Sequence, residues 1–381
     1  MNLSRRHFFF GSLALPAFAA KPLGEQPNVL LVLAEGLPAW MLGCYGNREV
    51  RTPNIDRLAQ TGTRFLNHYA SAPVADKARA GLLTGRTTMQ LKDGGEITLE
   101  KLLGGIGYAC GTSSNGAEAA RFLDAQDPAK PFLLVAGFTP YATLPDAGPY
   151  AQAKLDTFAQ EPAAKNAARG KEMLANLLPN LRKVAAATTA FDLEIGALVS
   201  QVTQKKLLDN TLIIFTSPCG SLFGRHGLWA SGEASDPVNM YEETVGTPML
   251  WSWPGHVVPL AMRPEMVSAA DLVPTICDIT PAELPDRNLW GRSYLALASG
   301  KPLPKKQPWR TTVFAQYADT AMARSDRYKL VVRAEGKGPG EIYDDKVDAR
   351  EKLNQYDNLQ FMTVKSALQT DLGKWKQKYS A

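Results

Sequence analysis

The strongest constraint on this chain is an unbroken apolar run, Asn28–Ala34 (NVLLVLA), set just behind a polar, proline-containing lead. A strand with one face in water alternates polar and apolar residues. A run without alternation belongs where both faces are covered, as in a parallel sheet between helix layers. Runs of the same kind recur at 132–136 (FLLVA), 211–215 (TLIIF) and 248–251 (PMLW). Between them Val184, Ala187, Phe191, Ile195, Leu198 and Val202 follow one another in steps of three or four, which makes one apolar face of a long helix. The fold class read from this alternation is α/β, a mainly parallel sheet sandwiched by helices. The stretch 299–308 (SGKPLPKKQP) reads as a linker or long surface loop. Past it, 311–316 and 328–333 read as strands, 335–341 as a Gly/Pro turn, and Phe361, Val364, Leu368, Leu372, Trp375 and Tyr379 as the apolar face of a closing helix. That order describes a small C-terminal α+β subdomain. The weakly periodic, Ala/Lys/Gln-rich stretch 151–172 reads as a solvated helix or flexible cover.

The first twenty residues read as an address. Arg5 and Arg6 precede an apolar stretch through Leu13, Leu15 and Phe18 that ends in small residues at Ala17, Ala19 and Ala20. This is the order of a cleavable export signal of the twin-arginine type, placing the protein in the periplasm or outside the cell. The competing reading is a short membrane anchor; the stretch is well under the ~20 residues a span needs, and Pro16 interrupts it. No later segment is long and apolar enough to span a bilayer. The division is thus 1–20 signal, 21–300 α/β domain and 301–381 C-terminal subdomain. A net charge of +5, from 42 basic and 37 acidic residues scattered along the chain, gives no reason to expect a nucleic-acid partner. Four histidines leave a His-rich metal centre short of ligands. Cys44, Cys110, Cys219 and Cys277 are widely spaced, and spacing does not choose between disulfides and free thiols.

From Pro27 to Arg86 the chain resembles the sulfatase family of the alkaline-phosphatase superfamily. The carrying residues are Pro27, Asn28 and Val29, the segments 42–46 (LGCYG) and 52–58 (TPNIDRL), then 62–65 (GTRF), 69–74 (YASAPV) and 82–86 (LLTGR). The resemblance continues through Phe191, Asp192, Ile195 and Gly196, the segments 209–217 (DNTLIIFTS) and 226–229 (HGLW), and Tyr241, Glu242 and Glu243. It closes on 253–255 (WPG), 271–275 (DLVPT), 342–344 (IYD), Glu351 and Asn354.

Sulfatases hydrolyse sulfate monoesters with a formylglycine made from the Cys or Ser of a Cys/Ser-x-Pro-x-Arg segment. The resemblance also implies a calcium ion held by side-chain oxygens, with Lys, His and Arg stabilising developing charge. Here the nucleophile segment reads Ala75, Asp76, Lys77, Ala78, Arg79. A methyl group can be neither oxidised to the aldehyde nor used as a nucleophile. Where the family has two aspartates after the first strand, this chain has Glu35 and Gly36; where it has Asp then His or Asn, this chain has Pro218 and Cys219. The family's Gly-Lys-x-His segment falls at 114–117 (SNGA), leaving Asn115 in place of the lysine, and its Pro-His-x-Pro histidine is Tyr141. The lysine expected after Trp229 is absent, with Ala230 and Ser231 there, and only Arg79 matches. Calcium wants about six to eight oxygens, so calcium is expected of the family but not of this chain.

Each remaining polar residue also has a plain reading. Asp76 would cap a helix opening at Lys77, and Arg79 would be an anion contact or a leftover surface arginine. Tyr141 and Trp229 would stack on a sugar ring or simply pack. His68, His226 and His256 read as structural. The reading of the whole is a sulfatase-fold protein without its sulfuric ester hydrolase activity, with a sulfated or other anionic sugar, or a protein, as its partner. The alternative is an active hydrolase or transferase that uses a substituted residue such as Asp76 or Cys219.

Overall fold

The computed structural model describes residues 26–380 apart from 93 and 304–306. The expected export signal, 1–20, lies outside the described residues, and the 299–308 stretch is described only in part.

Seven strands form the main sheet: β1 (Asn28–Ala34), β2 (Thr63–Tyr69), β3 (Ala109–Ser113), β4 (Phe132–Phe138), β5 (Thr211–Thr216), β6 (Met249–Ser252) and β7 (Ala261–Ser268). Their order is β3-β4-β1-β5-β6-β2-β7. β3, β4, β1 and β5 are parallel, β6 runs against both its neighbours, and β7 is parallel to β2. Every residue of β1, β4 and β5 is buried, which is why their sequences do not alternate. Leu30 and Val32 enter one core with Leu181, Val184 and Ile195 of the long helix Leu177–Gln204, while Val29, Leu31 and Leu33 enter the opposite core with Leu272 and Ile276. The expected α/β sandwich is therefore present.

β2, β3 and β7 carry no apolar run and escape a reading by pattern. β7 has Pro264 between Arg263 and Glu265 and is partly exposed along its first half, as an edge strand can be. The stretch 151–172 departs from expectation. It forms no helix before Lys171–Ala175 and is not solvated throughout: Leu155, Phe158 and Ala167 are buried, and Phe158 meets Trp40 edge-on at 4.9 Å. The N–H groups of Asp156 and Thr157 donate to the Glu49 carboxylate at 2.5 and 2.8 Å, which pins this cover to the body.

The C-terminal sheet is antiparallel, in the order β11-β10-β9-β8, with β8 (Thr312–Tyr317), β9 (Thr320–Ser325), β10 (Tyr328–Arg333) and β11 (Glu341–Asp344). One face takes Leu368, Leu372, Trp375 and Tyr379 of the helix Met362–Tyr379. The other packs Val313, Ala315, Met322 and Val331 against Tyr69, Val245 and Met266 of the main domain. The four cysteines are free thiols. Among the described residues, no helix is long and apolar enough to cross a membrane.

Candidate functional site

The parallel strands deliver their carboxyl ends to one edge of the sheet, the usual location of ligands in open α/β folds. Glu35 follows β1, Ser113 ends β3, Thr139 follows β4, and Pro218 and Cys219 lie just past β5. The edge is stitched by backbone bonds: the Glu35 N–H donates to the Phe138 carbonyl at 2.9 Å and the Gly36 N–H to that of Cys219 at 3.1 Å. Between these ends is a cavity of about 320 Å³, lined by Glu35, Arg79, Ser113, Glu118, Gly137 and Pro218 among others.

Glu35 and Arg79 are both half-buried, and neither side chain has a hydrogen-bond or ion-pair partner among the described residues. Arg79 lies over Gly137, where an added Cβ would sit 2.9 Å from its Nη1. Gly36 has φ +77°, and a Cβ there would meet Ser221 Oγ at 3.1 Å and the Tyr141 ring at 3.4 Å. The second position of the expected aspartate pair is thus backbone alone, closely covered.

Ala75 opens the helix Ala75–Thr84 and packs against a small apolar cluster of Ala70, Ala72, Val74, Ala78 and Cys219. Asp76 does not cap this helix, contrary to expectation. The helix begins one residue before it, Val74 is the N-cap, and no side chain accepts there. Asp76 and Lys77 are exposed on the first turn. Cys219 is 1% exposed. Burial, then the negative charges of Glu35 and Asp76, push its thiol up to about 12, against a hydrogen bond with Ser231. A thiol held protonated in this way is a poor nucleophile and a poor ligand.

Two predicted residues serve the framework. Asn115 caps the helix Gly116–Asp124, its side chain accepting from the Glu118 N–H at 2.9 Å. The Tyr141 hydroxyl shares a hydrogen bond with Thr188 Oγ1 at 3.0 Å and its ring meets Phe223 edge-on at 4.8 Å. Tyr141, Phe223 and Trp229 line a second cavity, of about 510 Å³, with Lys183 and Asn180. The structure thus brings Glu35, Arg79 and Pro218 to one cavity and sets Ala75, Cys219 and Ser231 around one buried cluster. Asn115 caps a helix, Tyr141 belongs to another cavity, and Lys77 points to solvent.

Sequence reasoning missed Ser113, Glu118 and Gly137. Glu118 was open to discovery, because it stands three residues after a capping Asn. Its carboxylate accepts from the Ser114 N–H at 2.7 Å and hydroxyl at 2.8 Å, which holds it below the ordinary carboxylate range. His68 and His226 are structural. His68 Nδ1 is 2.7 Å from Thr247 Oγ1, and His226 stacks on Tyr241 at 3.6 Å with Nε2 3.3 Å from Glu243.

The residues at the four expected metal positions supply one carboxylate, a glycine, a proline and a buried, protonated thiol.

The family model for sulfatases matches residues 27–109 and 107–282. The chain belongs to the sulfatase family. A second model, the C-terminal domain of N-sulphoglucosamine sulphohydrolase, matches residues 232–378 of this sulfatase-family chain. Human arylsulfatase A is 28% identical over 367 residues, covering 76% of this chain and 71% of its own. A structure bound to its substrate D-glucosamine-2-N,6-O-disulfate superposes with TM-score 0.76 at 20% identity, over 93% of this chain and 98% of that one. The phosphonate monoester hydrolase of Agrobacterium radiobacter superposes equally well, TM-score 0.76 at 18% identity, over 93% and 96%. These two likenesses establish a shared fold. Several family motifs prove to be scaffold. Asp192 accepts from the Ile55 N–H at 2.8 Å and the Asn54 amide at 2.8 Å, and Asp56 from the Cys44 N–H at 2.6 Å.

Proposed function

We propose that this sulfatase-family protein does not hydrolyse sulfate esters and acts outside the cytoplasm as a sugar-binding or partner-regulating protein. The observation that carries the reading is Ala75 at the nucleophile position, packed into an apolar cluster beside Cys219. An alanine methyl offers no route to a covalent sulfate adduct or an aldehyde hydrate. The carboxylate–glycine–proline–thiol set in place of metal donors supports the same reading, as does Tyr141 with its hydroxyl committed to Thr188. Export rests on Arg5, Arg6 and the apolar stretch behind them.

The alternative nucleophiles fare poorly on physical grounds. Cys219 is buried and protonated, and Asp76 is a solvated carboxylate on a helix surface. The test is turnover of aryl sulfate and aryl phosphate esters by the purified chain, with and without calcium. No release above the uncatalysed rate is expected. Turnover lost on Glu35→Ala or Arg79→Ala would overturn the proposal.

A further inference from the structure

We infer that the cavity at the carboxyl ends of β1, β3 and β4 takes an unsulfated sugar, through its hydroxyl and amine groups, in preference to a sulfate ester. This deepens the proposed function and rests on it. Three observations converge. Glu35 and Arg79 line the same cavity of about 320 Å³ without pairing to each other or to anything else described, so an acceptor and a donor face the same space uncommitted. Ser113, only 7% exposed, lines it as well, and its buried Oγ has no hydrogen-bond partner. A buried hydroxyl left without a partner is costly unless something else supplies one. Finally, the charged side chains of the lining are two carboxylates, Glu35 and Glu118, against one guanidinium, Arg79.

That balance decides the ligand class. A sulfate group is an anion made only of acceptors. Arg79 and Ser113 can serve it, but Glu35 and Glu118 can donate nothing to it and repel it. A sugar hydroxyl both donates and accepts, and an ammonium only donates. Glu35 can accept from two neighbouring hydroxyls or pair with an ammonium, while Arg79 and Ser113 donate to ring or hydroxyl oxygens. The volume is near the lower end for small-molecule sites, which suits one sugar ring.

The experiment is calorimetric titration of the full chain with D-glucosamine, D-glucose and D-glucose 6-sulfate, with sulfate release followed in parallel. Glucosamine and glucose should each bind at least about tenfold tighter than glucose 6-sulfate, and Glu35→Gln should weaken glucosamine about tenfold. Arg79→Gln should weaken both unsulfated sugars, with the melting temperature of each variant as folding control. Glucose 6-sulfate bound as tightly as the unsulfated sugars, no binding by any of the three, or an unchanged glucosamine affinity in a folded Glu35→Gln variant overturns the inference. Sulfate ester bound as tightly as the unsulfated sugars but not hydrolysed would overturn this inference and leave the proposed function standing, whereas sulfate release would overturn both.

Discussion

Replacing Lys329 by Met should destabilise the protein by about 3–5 kcal/mol at neutral pH, because it removes the buried cation held between the Glu242 and Glu351 carboxyls. Lys329 is fully buried on β10, its Nζ 2.5 Å from Glu351 Oε1 and 3.1 Å from Glu242 Oε2. Arg324 reaches Glu242 at 3.4 Å and also pairs with Asp345, while the Tyr69 hydroxyl donates to Glu242 at 2.7 Å. This cluster ties β9 and β10 to the main domain and holds three carboxyls against two cations. Burial relieves the excess by pushing Glu351 up to about 8, although Lys329 pulls it down. A folded state that binds this proton more tightly than the unfolded chain gains stability at low pH and loses it as pH rises through about 8. Without Lys329 the Glu351 carboxyl rises further and keeps its proton above pH 8, so the deficit of Lys329→Met should be nearly level from pH 5 to pH 7 and grow as pH rises past about 8. A double variant, Lys329→Met with Glu351→Gln, should recover about 1–3 kcal/mol of the loss. With an unfolding entropy near 0.8 kcal/mol/K for a chain of this length, the single variant should melt about 4–6 °C lower. Denaturant unfolding followed by tryptophan fluorescence measures all three quantities. A single-variant cost below about 1 kcal/mol, or strictly additive effects, would refute the reasoning.

Calcium at about 1 mM should leave the melting temperature unchanged within a degree. A site saturated 100-fold would add about 2.7 kcal/mol, or roughly 3 °C here, and a shift of that size would mean that oxygen donors other than Glu35 assemble a site. Cys219 should resist iodoacetamide at pH 8 in the native protein and react in denaturant; mass spectrometry showing rapid native labelling would contradict its burial and its thiol raised to about 12. Gly62→Ala should cost about 3 kcal/mol or more, since its Cβ would fall 1.8 Å from the Trp251 carbonyl oxygen where β2 pairs with β6. Gly373→Ala, in the C-terminal helix with nothing within 4 Å, should instead stabilise by about 0.5–1 kcal/mol. Equal effects of these two substitutions in chemical unfolding would speak against the packing argument.

The parallel core of the fold was legible because β1, β4 and β5 are buried on both faces, and such strands must be apolar throughout. The long helix and the closing helix were legible for the same reason, each having one face to bury. β7 was not, since an edge strand can carry Arg263, Pro264 and Glu265 in succession. The cover at 151–172 was misread because its few buried residues, such as Phe158, are held by a distant Glu49 and Trp40 rather than by a local period. Asp76 was misplaced by a single residue, enough to turn a cap into a first-turn carboxylate.

At the site, the chain's own residues already determined what each position can offer, since the side chains of Ala75, Gly36 and Pro218 carry no nucleophile and no metal donor in any fold. Which groups share a space was a different matter. Glu35, Arg79, Ser113 and Glu118 come from four separate segments and meet only because three parallel strands end at one edge and two helices flank it. Local sequence dictates a side chain's chemistry, but its partners, its burial and hence its charge state depend on contacts between distant segments. Only the tertiary structure could show that Glu35 and Arg79 face one cavity unpaired and that the Cys219 thiol is buried in a small apolar cluster with Ala70, Ala72 and Val74.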